Sequence, residues 1–339
     1  MHAVVLIGGF GTRLRPLTDS VPKSMLTVGN EPIITRLVRL LGRSGVTTVT
    51  LSLGYLPDPF LAAFPGDRCG DVELCYATEP EPLDTAGAIR FAAEAGGVDG
   101  TFVVLNGDVI CDLDIGAMVA AHRAGGQRAT IHLTPMEDPS AFGVAELDDA
   151  GRVLRFVEKP PLGTEPSNLI SAGTYVFEPS VLDLIEPGRR VSIERETFPA
   201  LVASGDLHAY VTDDYWLDAG KPAALLQANL DRLAGRYDRD LDSPVSSGLG
   251  VDAGAVVAAD ARVEDSVVAA AATIGARSVV RHSVVLAGAA IGEDVEVHES
   301  VVMGRVGNGA ALTGAVIGAG AAIEPGRKVI DERVPNPAG

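Results

Sequence analysis

From about residue 250 the chain spaces its aliphatic residues by a short fixed step. Valines stand at 251, 257 and 263. Ile274, Val280 and Leu286 keep the same step of six, as do Ile291, Val297 and Met303, and then Ile317, Ile323 and Val329. Glycine follows the isoleucine at Ile274-Gly275, Ile291-Gly292 and Ile317-Gly318. A unit this short can offer one inward aliphatic and one corner, and it cannot bury that aliphatic alone. Such units must stack. Three short flat faces per coil give a left-handed parallel β-helix, expected over residues 250–335. The competing fold for the same composition is a β-sandwich rich in small residues.

The first 236 residues follow a different pattern, in which short apolar runs alternate with amphipathic stretches. Strands are expected at 4–7, 49–53, 72–76, 102–105 and 129–133, and helices at 33–41, 86–94 and 115–124. Strands separated by helical stretches of this length imply right-handed βαβ crossovers and a Rossmann-like, mostly parallel α/β sheet. Sheets of this kind take ligands beyond the carboxyl ends of their strands. Residues 237–249, with their Asp, Ser and Pro, read as a linker.

Charge narrows the partners. The 339 residues hold 27 Lys and Arg against 45 Asp and Glu, a formal net charge of -18. Nucleic acid is disfavoured, because phosphate backbones are bound by basic surfaces. A small phosphorylated ligand is compatible, since a few local cations can dominate one pocket. Three cysteines without a CxxC pair suggest neither a disulfide framework nor a zinc site. No apolar run approaches the roughly 18 residues of a membrane span. A cytoplasmic protein without a membrane partner is expected.

Those cations are found behind the first expected strand. Glycines at 8, 9 and 11 are followed by Arg13, Arg15 and Lys23. A dinucleotide loop would need glycine at 14, where Leu stands, and the GK[ST] of a Walker loop is missing. Glycines here would let backbone N–H groups approach a polyphosphate, with Arg13 and Lys23 as mobile positive charge. A tight turn carrying solvated cations is the plainer alternative.

Several segments together carry a resemblance. Gly8-Gly9-Phe10-Gly11-Thr12-Arg13-Leu14, with Pro22-Lys23 downstream, is similar to the signature of sugar-nucleotide pyrophosphorylases, nucleotidyltransferases acting on sugar 1-phosphates. Leu83-Asp84-Thr85-Ala86-Gly87 resembles that family's base-binding segment, and Leu105-Asn106-Gly107-Asp108 its metal-binding turn. Phe142-Gly143-Val144, Glu158-Lys159-Pro160, Ser171-Ala172-Gly173-Thr174-Tyr175 and Trp216-Leu217-Asp218-Ala219-Gly220 follow in family order.

The resemblance implies a reaction in which the phosphate of a sugar 1-phosphate attacks the α-phosphorus of a nucleoside triphosphate and pyrophosphate leaves. Both reactants are anions, so the barrier is largely electrostatic and positional. It implies Mg²⁺ held by Asp108 and Asp218 as the metal ligands, since that ion prefers oxygen donors and takes one or two carboxylates alongside substrate phosphates. Arg13 and Lys23 complete the implied catalytic set. The nucleotide would be lined by Leu6, Gly8, Gly9, Gly11, Thr12, Asp84, Thr85, Ala86, Gly87, Asn106 and Gly107. The sugar phosphate would meet Gly143, Glu158, Lys159, Ser171 and Trp216.

Details of the motifs resemble the mannose-1-phosphate guanylyltransferase branch, so GTP and mannose 1-phosphate are the expected substrates. Thymidylyl and adenylyl transfer to glucose 1-phosphate, or guanylyl transfer to another hexose, heptose or cyclitol 1-phosphate, are the alternatives. Two positions depart from the family pattern: Asp84 replaces a glycine and Ser171 an asparagine. Asp84 places an acid beside the implied base site, facing either the base or solvent. Two other classes compete. An acyltransferase would use a coil histidine, His282 or His298, and a non-catalytic regulatory subunit would share the fold. The β-helix is expected to assemble the chain into a dimer or tetramer through its flat faces.

Overall fold

The computed structural model describes residues 1–54, 58–237 and 250–337. The expected linker lies, beyond Tyr237, outside the described residues. Internal contacts divide the chain into two compact units, 1–9 with 34–216, and 10–33 with 217–339.

In the first unit the centre of the sheet is parallel. Strand β1 (His2–Leu6) lies between β2 (Thr48–Leu53) and β4 (Phe102–Asn106), with β3 (Val72–Thr78) outside β2. The inner three, β1, β2 and β4, carry Val, Leu and Phe buried on both faces, the pattern of a covered parallel sheet, whereas β3 alternates buried and exposed residues at its start. The order 3-2-1-4 reverses direction at β1 and β4, and the carboxyl ends of strands at such a reversal form a ligand crevice. Helices Asp84–Ala95 and Ile115–Gly125 fall where the apolar periodicity places them.

The remainder of the sheet is mostly antiparallel, except that Leu207–Val211 pairs in parallel with Ala129–Pro135. Strand β8 (Leu169–Phe177) pairs with β4, with β5 (Ala129–Pro135) and, by a single residue pair, with β6 (Gly143–Leu147); β6 in turn pairs with β7 (Val153–Glu158). Along β8 the partner of Ser171 is Leu133, whereas that of Tyr175 is Ile131. Residues 172–174 therefore bulge out of that ladder. A bulge re-aims backbone groups locally, and here it turns the Ala172 carbonyl toward Trp216, whose indole Nε1 donates to it at 2.8 Å.

The second unit contains three five-stranded parallel sheets, the faces of a left-handed β-helix. Most coils repeat every 17 residues, as in the pairings Val257↔Ile274 and Ile274↔Ile291, and one is shorter, with Ile291↔Val306 and Val297↔Leu312 each 15 apart. The inward stack is Val268, Ile274, Val280, Val285, Ile291, Val297, Val302, Val306, Leu312, Ile317, Ile323 and Val329. The strict step of six is thus corrected. In the 17-residue coils two faces advance by six and the third by five, so Val285 and Val302 fill the places expected of Leu286 and Met303, and in the shorter coil the step from Val302 to Val306 is four.

Also in this unit, helix Pro222–Leu233 holds the hairpin Thr27–Val28/Glu31–Pro32. Buried Asn229 accepts from the Gly29 N–H at 2.9 Å and donates to the Thr27 carbonyl. Buried Arg232 donates to the Val28 carbonyl and pairs with Glu31 at 3.2 Å. None of the helices among the described residues is long and apolar enough to cross a membrane.

Candidate active site

The first unit brings together most of the expected sugar and nucleotide positions. At the end of β1, the Leu6 carbonyl accepts from the Gly107 N–H at 2.9 Å, which ties the Asn106-Gly107-Asp108 turn to the glycine loop's first residues. Asp108 is half-buried on that turn. Gly173 presses on Asn106. A Cβ there would come within 2.6 Å of the Asn106 amide, and its φ of +74° is one that L side chains rarely adopt.

Beside the bulge, Trp216 meets Phe142 edge-on, with ring centroids 5.6 Å apart. Gly143 pairs with Glu158 across β6 and β7, and Glu158 Oε1 takes Lys159 Nζ at 2.8 Å. Lys159 has a φ of +49°, held there while its N–H donates to the Phe142 carbonyl at 2.9 Å. A bulky residue in that conformation is strained, and such strain clusters at functional sites. Ser171 Oγ stands 3.4 Å from the hydroxyl of buried Tyr175, whose pKa burial pushes far up.

The implied base segment opens the helix Asp84–Ala95. The Ala86 and Gly87 N–H groups both donate to the Val191 carbonyl, at 2.9 and 3.2 Å. Thr85 Oγ1 donates to Glu194 at 3.0 Å and accepts from the Ile193 N–H at 2.8 Å. Asp84 has a φ of +60°, is exposed, and caps its own turn by accepting from the Thr85 N–H at 2.8 Å. That conformation is the reason glycine suits the position, and Asp tolerates it better than most residues. Of the two orientations open to Asp84, the outward one is present.

Glu79 was not foreseen. It follows β3, where a lone Glu has no spacing to mark it. Its Oε2 accepts from the Leu83 N–H at 2.9 Å and its Oε1 from Ser52 Oγ at 3.2 Å. Oε1 lies 3.4 Å from where a Cβ on Gly8 would sit. A carboxylate therefore stands between the glycine loop's start and the segment at 83–87. Glu194, in the segment Ser192-Ile193-Glu194, is a second carboxylate beside 83–87, holding Thr85 and Ser192.

The second unit contains the remaining expected residues: Gly11, Thr12, Arg13, Lys23 and Asp218. Gly11 has a φ of +60° and leads into a one-turn 3-10 helix, Thr12–Leu14, closed by the Leu14 N–H on the Gly11 carbonyl at 2.9 Å. Thr18 Oγ1 donates to that same carbonyl at 2.7 Å. Leu14 and Leu17 are buried and anchor the loop, while the Arg13 side chain is 57% exposed. Lys23 packs against Gly11. Arg13 Nη2 lies 3.7 Å from Asp218 Oδ2, and Asp218 Oδ1 accepts from the Gly220 N–H at 2.8 Å. On the β-helix, His282 is an exposed corner residue 3.7 Å from Asp265.

Known proteins resemble this chain in sequence and fold. Residues 2–235 match the family described as "Nucleotidyl transferase". A protein of Hypocrea jecorina named mannose-1-phosphate guanyltransferase is 40% identical over 253 residues, 72% of this chain and 68% of its own length. Mannose-1-phosphate guanylyltransferase of Mycobacterium tuberculosis is 40% identical over 237 residues, 69% of this chain and 65% of that protein. Among solved structures, HddC from Yersinia pseudotuberculosis complexed with GMP-PN superposes with a TM-score of 0.58 at 28% identity, covering 67% of this chain and 97% of HddC. A Bacillus anthracis protein described as a glucose-1-phosphate thymidylyltransferase superposes with a TM-score of 0.64 at 25% identity, covering 73% of this chain and 99% of that one. With the loop, the turn and the base segment all inside the matched residues, the chain belongs to the nucleotidyl transferase family.

Proposed function

We propose that this chain is a guanylyltransferase that joins GTP and mannose 1-phosphate to give GDP-mannose and pyrophosphate. The observation that carries the reading is the 40% identity to proteins named for that activity, together with the family match over residues 2–235, which contain every motif of the site. A neighbour complexed with GMP-PN supports the choice of base.

The chemistry of the base supports it too. A carboxylate only accepts hydrogen bonds. Guanine presents two adjacent donors, N1–H and N2–H₂, whereas adenine places an acceptor at N1. Glu79, beside Gly8 and Leu83, is the acceptor suited to that pair of donors, in place of Asp84.

One oxygen of the sugar phosphate attacks the α-phosphorus, forming the new P–O bond as the bond to the β-phosphate oxygen breaks. The electron pair leaves on pyrophosphate. A phosphate monoester is already an anionic nucleophile near neutral pH, so no general base is needed. Arg13 would grip the β- and γ-phosphates with its planar fork, and Lys23 would neutralise the α-phosphate as a point charge. Lys159 would hold the sugar's phosphate, Glu158 would accept from sugar hydroxyls, and the Gly143 N–H would donate to one. Asp108 and Asp218, both half-buried hard-oxygen donors, fit Mg²⁺, which when bound would offset charge on the phosphates.

We further propose that residues 1–236 form the transferase domain, that 237–249 link it to the β-helix at 250–335, and that the β-helix assembles a cytoplasmic dimer or tetramer. Pyrophosphate release over a matrix of nucleotides and sugar 1-phosphates tests the substrates. GTP with mannose 1-phosphate is expected to be fastest, and faster turnover with dTTP or ATP would reject the guanylyl assignment.

A further inference from the structure

The geometry points to Arg333, in the last strand of the β-helix, as a positioning residue for the phosphate-binding loop. Its Nη1 donates to the carbonyl of Arg13 at 2.9 Å and to that of Arg15 at 3.1 Å. These two acceptors flank Leu14, which is 1% exposed. One guanidinium therefore spans the turn that carries Arg13, from the side of the backbone. A second contact lies nearby. Gly318, next to the strand that pairs with Arg333–Val334, is so close to Pro16 that a Cβ there would lie 2.9 Å from the proline ring.

The loop needs such support. Its own turn is closed by one good hydrogen bond, Leu14 N–H to the Gly11 carbonyl, and one long one, Arg15 N–H to the Thr12 carbonyl at 3.3 Å. The exposed Arg13 side chain can search many rotamers, so the position of its backbone decides whether the guanidinium can reach a polyphosphate. Misplacing a charge-stabilising group by about 1 Å costs on the order of 100-fold in the steps it serves. Arg333 fixes the carbonyl of Arg13 itself. On this view the β-helix does more than assemble subunits, since its last coil sets the loop that receives the nucleotide.

The inference rests on the nucleotidyltransferase reading, and one set of assays separates the two. In the full-length protein, Arg333→Ala should raise the KM for nucleoside triphosphate, and in the reverse reaction for pyrophosphate, by about tenfold, a fraction of the full misplacement cost. The KM for sugar 1-phosphate should stay within about twofold, since its expected contacts lie elsewhere. Arg333→Lys, which keeps a cationic donor, should recover part of the loss. Amide exchange in the peptide covering 10–19 should quicken in Arg333→Ala while other peptides stay unchanged, a readout that needs no turnover. An active wild type with an Arg333→Ala variant of unchanged nucleotide KM overturns this inference alone. So does an equal loss for both substrates that Lys does not relieve. A wild type that turns over no nucleotide overturns the parent reading and this one with it.

Discussion

Asp218 Oδ2 lies 3.7 Å from Arg13 Nη2, longer than a hydrogen bond and close enough for an ion pair. With Arg13 more than half exposed, such a contact is worth little in water. On the proposed mechanism it is a resting arrangement that an incoming polyphosphate would replace, freeing the guanidinium for phosphate and the carboxylate for a cation. Asp218→Asn keeps an oxygen acceptor for the Gly220 N–H but removes the charge. It should lower kcat by about 100-fold or more, the scale of losing one element of transition-state charge stabilisation. The melting temperature should hold steady. Turnover near wild type, or a rate indifferent to EDTA, would remove Asp218 from the metal site.

Glu79 gives a prediction about the base. Glu79→Gln retains an oxygen for the Leu83 N–H but turns one acceptor into a donor, which opposes the guanine N1–H/N2–H₂ pair. The preference for GTP over ATP should fall by about 10–100-fold, the worth of a mispaired buried polar contact. The KM for sugar 1-phosphate should move little. Asp84→Gly, by contrast, should leave base preference unchanged, because that side chain is exposed and bonded to its own turn. An Asp84 variant that alters base choice while Glu79→Gln does not would invert the assignment.

The difference between these two acids shows what the sequence could reveal. Asp84 drew notice because it interrupts a motif, whereas Glu79 belongs to none and matters through partners that meet it in three dimensions, Ser52 and Leu83. The parallel centre was legible because strands buried on both faces read as apolar runs, and helix faces keep a period near 3.6. The strands at 143–147, 153–158 and 169–177 were not. They are antiparallel and unevenly buried, and the bulge at 172–174 breaks their alternation. In the β-helix the repeat was plain but its third step was not, because Val284-Val285-Leu286 and Val301-Val302-Met303 offer apolar residues at either register. Only packing selects Val285 and Val302. The grouping of 10–33 with the C-terminal segment rests on contacts some 200 positions apart, such as Asn229 with Gly29.

Acid should destabilise the protein through His132. This residue, on β5, is buried, and its Nε2 pairs with Thr212 Oγ1 at 2.9 Å. Burial lowers its pKa from 6.5 to about 4. The folded state therefore binds fewer protons than the unfolded state between those values. Stability is full above pH 6.5 and falls as pH drops toward 4, by up to about 3 kcal/mol from this group. Burial lowers the pKa of His122 and His2 as well, which adds to the same slope. Denaturant midpoints measured from pH 7.5 to 4.5 should show the decline, with a shallower slope in His132→Gln. An unchanged slope in that variant would mean His132 stays accessible to protons in the native state.

The β-helix should depend on serines that face no ligand. Ser266, Ser283 and Ser300 are almost fully buried and form a ladder along one corner. Ser283 Oγ donates to the Arg281 carbonyl at 2.6 Å and accepts from the Ser300 N–H at 3.1 Å, while the Ser283 N–H donates to Ser266 Oγ at 3.1 Å. Ser300 Oγ continues the pattern by accepting from the Ala315 N–H at 3.0 Å. Each hydroxyl thus satisfies a carbonyl on its own coil and an amide on the next, where no water can substitute. Ser283→Ala leaves the Ser300 N–H unpaired, while the Arg281 carbonyl keeps the Glu299 N–H at 3.2 Å, and should cost about 1–3 kcal/mol, the scale of one buried unsatisfied donor. Exchange of the Ser300 amide should accelerate accordingly, and the coils on either side should loosen together, because neighbouring repeats share their interfaces. A Ser283→Ala protein whose Ser300 amide stays as protected as before would show that the corner is held by backbone pairing alone.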